Sequence, residues 1–108
     1  MIKFENIAES KIENFNGGDG VFRAHIFNDQ KNKILKGRLD KGCSIGLHCH
    51  ETSSEIIYIL EGDGEVLYDG ATERLIAGDC HYCEKGKEHS LKCAGEEPLI
   101  FFAVVPQQ

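Results

Sequence analysis

His48 and His50 sit one residue apart, and Glu55 follows five residues after the second histidine. Imidazole nitrogens with a carboxylate oxygen are a donor set suited to a divalent first-row transition metal, whereas Mg and Ca favour all-oxygen shells. On a β-strand, residues i and i+2 face the same side. A strand over 43–50 therefore turns both imidazoles to one face and sends Cys49 to the other. Glu55 opens the next apolar run, SEIIYILEG, and pairing of the two segments brings its carboxylate toward the imidazoles. Spacing alone leaves a bland alternative open, a pair of exposed or hydrogen-bonded histidines.

The elements that must position these groups are short. After residue 18, runs rich in Val, Ile, Leu, Phe and Tyr alternate with turn signals, and helical periodicity is absent. VFRAHIF (21–27), KILKGRLD (33–40), CSIGLHCH (43–50), SEIIYILEG (54–62), EVLYD (65–69), TERLIA (72–77), DCHYC (79–83), HSLKC (89–93) and LIFFAVV (99–105) read as strands. Roughly nine short strands at this spacing predict an all-β antiparallel sandwich or barrel. Residues 1–18 read as an N-terminal arm, either extended along a sheet edge or a short helix, and 19–108 as a single domain.

Composition narrows the function classes. The 108 residues carry 12 basic and 18 acidic side chains, a formal charge of -6. Phosphate backbones and anionic bilayers call for the opposite sign. No apolar run reaches membrane-spanning length. The opening MIKFENIAESKIENF is polar and acidic, unlike a signal or transit peptide, so a cytoplasmic protein is expected. Five cysteines, an odd number without a secretory signal, read as reduced thiols. Cys80 and Cys83 form a C-x-x-C, but three residues apart on a strand places them on opposite faces, so they read as separate thiols.

Two segments carry a family resemblance. Gly42-x5-His48-x-His50-x4-Glu55-x6-Gly62 matches the first cupin motif at every anchor. Gly78-x5-Glu84-x-Gly86-x2-His89-x3-Cys93 resembles the second, with Glu84 where the family usually has proline and Cys93 where it has asparagine. The resemblance implies a double-stranded β-helix, or jelly-roll barrel, with one divalent metal (Mn, Fe, Ni, Zn or Co) inside. Matched position by position, the ligands are His48, His50, Glu55 and His89. Glu84 bears only on the stiffness of the turn before His89, because proline fixes φ and glutamate does not. Cys93, four residues beyond His89, falls on the same face and is expected to point into the barrel, where a thiol could tune the metal or simply pack.

Four protein ligands leave two positions open on an octahedral ion, which suits Lewis-acid or oxygen chemistry. His25, Tyr58, His81, Tyr82 and Phe101 are candidates to line a ligand cavity, each weighed against core packing or surface exposure. His81 is also the candidate general acid or base, weighed against a histidine on the outer face. The expectation is a metal-dependent enzyme acting on a small polar or anionic metabolite, of dioxygenase, isomerase or lyase type, with a non-catalytic binding or sensing module as the alternative. Exposed sheet edges and the family resemblance together predict a homodimer, with the arm available to cover a partner's edge.

Overall fold

Ten strands form two antiparallel sheets that enclose one core. The structure, a computed structural model, describes residues 1–108. In chain order the strands are β1 (Ser10–Glu13), β2 (Val21–Asn28), β3 (Asn32–Leu39), β4 (Ser44–Cys49), β5 (Glu55–Glu61), β6 (Asp63–Tyr68), β7 (Ala71–Ile76), β8 (Cys80–Cys83), β9 (Glu88–Cys93) and β10 (Leu99–Pro106). One sheet runs β1-β2-β3-β10-β5-β8 and the other β4-β9-β6-β7. Two short 3-10 turns, Phe4–Asn6 and Phe15–Gly17, complete the chain. No helix is long and apolar enough to cross a membrane.

Each predicted strand forms within a residue or two of its expected bounds, because the alternation of apolar and polar residues fixes which face is buried. β10 shows this most plainly: Leu99, Phe101, Ala103 and Val105 point inward and are buried, while Ile100, Phe102 and Val104 stand half-covered on the outer face. Burial of each large side chain of this kind contributes about 1.5–3 kcal/mol, so inner positions such as Phe101, Leu39, Ile57 and Ile59 dominate stability.

The arm is extended, and it lies on its own chain. β1 pairs with β2, Ser10 opposite Ala24 and Glu13 opposite Val21. His25 Nδ1 donates to the Ile7 carbonyl at 2.7 Å and pins the preceding residues. After β1 the chain crosses β4 at very close range. A Cβ on Gly18 would collide with the Ser44 carbonyl oxygen, and one on Gly46 with the Asn16 carbonyl oxygen. This pair of glycines lets two backbones touch where side chains would hold them apart.

β4 itself is irregular. Its pairing with β9 shifts register between Ile45 and His48, so that His48 sits directly opposite His89. Ile45 and His48, three residues apart, therefore both face inward, which an unbroken strand would forbid. Replacing Gly46 with alanine should lower unfolding free energy by about 1–3 kcal/mol, read from the urea midpoint. An unchanged midpoint would show that the crossing is not tightly packed.

Candidate metal centre

The metal-ligand candidates arise on three strands. β4 with the residue after it supplies His48 and His50, β5 begins with Glu55, and β9 supplies His89. Their donor atoms all lie within 4.8 Å of one another. His50 Nε2 is 3.1 Å from His48 Nε2, 3.0 Å from His89 Nε2 and 3.0 Å from Glu55 Oε1. His89 Nε2 lies 2.9 Å from the same carboxylate oxygen.

The far side of each imidazole is also held. Nδ1 of His48 is 2.8 Å from the Gly46 carbonyl, Nδ1 of His50 is 3.2 Å from Ser53 Oγ, and Nδ1 of His89 is 2.9 Å from His81 Nε2. A carbonyl can only accept, so His48 carries its proton on Nδ1 and presents the Nε2 lone pair inward. Ser53 Oγ and a neutral His81 Nε2 can accept in the same way, which would give His50 and His89 that tautomer once a cation replaces their Nε2 protons. Such partners behind metal-bound histidines fix ring orientation and raise ligand basicity.

Three lone pairs and a carboxylate oxygen about 3 Å apart repel one another unless positive charge lies among them. One Nε2 proton can bridge one of these contacts but not all. A cation answers all of them together. Imidazole bonds of about 2.1 Å place neighbouring donors about 3.0 Å apart on an octahedron and about 3.4 Å apart on a tetrahedron. The observed spacings are those of octahedral neighbours, so the residues fit a metal and leave coordination positions open.

Electrostatics agree with that reading. Burial pushes the His48 imidazole below its ordinary value, against the hydrogen bond to Gly46, so the ring is neutral at pH 7. Burial pushes the Glu55 carboxyl up, but hydrogen bonds from His50 and His89 outweigh it and hold the group down to about 2. The neutral His48 imidazole and the ionised Glu55 carboxylate are in the protonation states that metal binding requires.

His81 stands behind this cluster. It lies on β8, neither exposed nor facing the cavity: it is buried, packed edge-on against Tyr68 and bonded to His89. The candidate acid or base, weighed against an outer-face histidine, is thus neither at the cavity nor on the surface, because the single residue between Cys80 and Tyr82 points into the sheet interior. Burial, with the nearby His89, lowers its pKa to about 4, so the ring is neutral and one of its two nitrogens can accept. Cys83 closes the same layer, and His81, Cys83 and His89 also converge. Burial raises the Cys83 thiol to about 11, so it stays protonated, within reach of the Glu84 and Lys87 carbonyls at 3.9 and 3.7 Å.

The other thiols follow strand phase. Cys49 and Cys80 are exposed, and Cys83, three residues past Cys80, is buried on the opposite face. Cys93 shares the inward face of His89 and is buried, but four residues further along β9. Its thiol lies 3.2 Å from the Glu97 carbonyl and packs in the apolar core, away from the ligands. In the turn before His89, stiffness comes from backbone bonds rather than proline. Gly86 N–H donates to the His50 carbonyl at 2.7 Å, and Lys87 N–H to the Glu84 carbonyl at 3.1 Å.

The candidate ligands open onto a cavity of about 520 Å³ between the sheets. Of the five lining candidates, Phe101 reaches it. Tyr58 and Tyr82 stand on the outer face, His25 is turned to Ile7, and His81 is behind His89. Sequence reasoning missed Ile12 and Phe15 of the arm, which wall the cavity. The signal was the apolar spacing in KIENF, legible only once the arm was known to be extended.

This barrel, with two histidine motifs meeting at one point, is that of a cupin: residues 36–105 match the family model for the cupin domain, and the chain belongs to that family. It is 34% identical over 111 residues to an oxalate-binding protein of Thermotoga maritima, covering 97% of this chain and 92% of that protein. A crystal structure described as a predicted oxalate decarboxylase, also from Thermotoga maritima, superposes with a TM-score of 0.94 at 30% identity, covering 100% of this chain and 99% of that one. An RmlC-like cupin from Shewanella frigidimarina superposes with a TM-score of 0.82 at 20% identity, over 100% of this chain and 90% of that one, a likeness of fold.

Calorimetric titration of metal-free protein with Mn(II) tests the ligand set. His48→Ala should weaken binding by more than about 100-fold, and His81→Leu, which removes the support behind His89, by about 10–100-fold. Cys49→Ser should leave it unchanged. Equal affinities across the three variants would refute the assignment.

Proposed function

We propose that the protein holds one divalent transition metal through His48, His50, Glu55 and His89, and that the metal's open positions take a small chelating carboxylate. The observation that carries this is the cluster of Nε2 and Oε1 atoms 2.9–3.1 Å apart, each ring tied by its Nδ1 from behind. When bound, the metal supplies Lewis acidity that polarises a coordinated oxygen. The chain's residues do the rest. Gly46, Ser53 and His81 keep the donor nitrogens aimed, and Glu55 brings one negative charge that lowers the net charge of the centre. The apolar cavity walls limit water around the open positions. The relative described as oxalate-binding supports a carboxylate as the ligand.

Binding is the reading that the geometry favours over turnover. His81, the candidate acid or base, faces His89 rather than the cavity, and the other ionisable side chains at the cavity, Asp29 and Lys33, come from its rim. A metal-dependent enzyme remains the second reading, supported by open metal positions inside a walled cavity. Oxalate added to the Mn(II)-loaded protein should change the Mn(II) electron paramagnetic resonance spectrum and bind calorimetrically, while metal-free protein should bind none. Oxalate consumed on long incubation would move the assignment to the enzyme; oxalate recovered intact would keep it with the binder. Equal binding with and without metal would refute both.

A second copy of the chain is the partner we propose, seated on the outer face of β10, β5 and β8. There Phe102 lies opposite Tyr58, and Val104 opposite Ile56, which pairs in turn with Tyr82. Ile56, Tyr58, Leu60 and Tyr82 are all exposed, a cluster of large apolar groups of the kind that marks an interaction surface. The arm, already paired with its own β2, is not needed. Light scattering should give a dimer mass that Tyr58→Glu with Tyr82→Glu halves. A monomer mass for the unaltered protein would refute the interface.

A further inference from the structure

We infer that the ligand is a monoanionic chelating carboxylate with an apolar body, larger and less charged than oxalate. This inference rests on the metal reading above and adds the ligand's class.

Charge is the first argument. A divalent ion contributes +2, Glu55 contributes −1 and three neutral imidazoles contribute nothing, so the centre carries about +1. One carboxylate neutralises it. A dianion leaves one negative charge uncompensated, and burying such a charge without a partner is costly. The cavity offers little help, because Lys33 is its one lysine or arginine and Asp29 shares the lining.

Shape and surface are the second. The cavity of about 520 Å³ lies in the size range of pockets that enclose drug-sized molecules. A six-atom dianion occupies a small part of it. The ligand-bearing strands β4, β5 and β9 form only part of the wall; β1, β2, β3 and β10 form much of the rest. From these come Ile12, Ile26, Leu35 and Phe101, joined by Phe15 after β1. Hydrocarbon on this scale, beside a polar head-group site, recovers free energy only when an apolar group displaces the water.

The third is the rim. Asn28, Asn32 and Gln107 line the cavity with neutral amides. Amides can hydrogen-bond a polar end of the ligand without demanding a second charge.

The test uses the full-length protein loaded with Mn(II), with metal uptake measured first by calorimetry. Oxalate, pyruvate and phenylpyruvate are then titrated separately. Pyruvate and phenylpyruvate share a 2-oxo carboxylate head and differ by an apolar ring. The expected result is that phenylpyruvate binds at least ~10-fold more tightly than pyruvate, and more tightly than oxalate. Ile26→Trp should fill the cavity and erase that preference while metal uptake stays unchanged. If its metal uptake is impaired, Ile26→Phe, a smaller addition, should reduce the preference in the same direction.

Failure to take up Mn(II) overturns the metal reading and this inference with it. Normal Mn(II) and oxalate binding, with phenylpyruvate no tighter than pyruvate, overturns the inference alone. A phenylpyruvate preference that both Ile26 variants leave intact places the ring outside the cavity and also overturns it.

Discussion

Nitrogens of three imidazoles and an ionised carboxylate oxygen gather within 4.8 Å, with neighbouring donors about 3 Å apart, at the edge of a cavity between the sheets. Without a cation that arrangement is repulsive, and nothing about a β-sheet favours it for its own sake. It persists because each ring is anchored at its opposite nitrogen, and those anchors are ordinary folding interactions: a strand carbonyl, a serine hydroxyl and a second histidine. The barrel supplies the rigidity that keeps four donors facing one another, and a metal bound among them would convert their repulsion into attraction. Metal binding there would therefore be coupled to local stability, since binding that selects the folded state stabilises it.

The layers behind the centre show how far this constraint reaches. Behind His89 stands His81, and beside His81 stand Tyr68 and the protonated thiol of Cys83. None of these touches the cavity, yet each limits where His89 can point. On β4 the register shift before His48 performs a similar task with backbone alone, turning the strand so that Ile45 packs the core and His48 joins the site.

Strand content was legible because it depends on period-two alternation, which the chain keeps almost everywhere, whereas the four candidate ligands came together only through the resemblance of two segments to the cupin motifs. Cys49 outward, His48 and His50 inward, and the split of Cys80 from Cys83 all follow from that one rule. What was not legible breaks or exceeds it. The β4 irregularity has no residue signature beyond a glycine at 46. His81 could be assigned to a strand but not to a face, because DCHYC is too short for its phase to be fixed by neighbours. The arm's place depended on a backbone crossing between Gly18 and Gly46, a long-range contact that no local pattern announces.

The arm's placement has a further meaning. Ile12 and Phe15 wall the cavity, yet they belong to a segment preceding both histidine motifs and are tied to the barrel through β2 and β4. In the proposed reading the chain divides its labour: the motif strands would hold the ion, and the first fifteen residues would help decide what lies beside it. Descendants of such a protein could exchange one cargo for another by drift in a single peripheral ribbon, leaving every ion-holding side chain as it was.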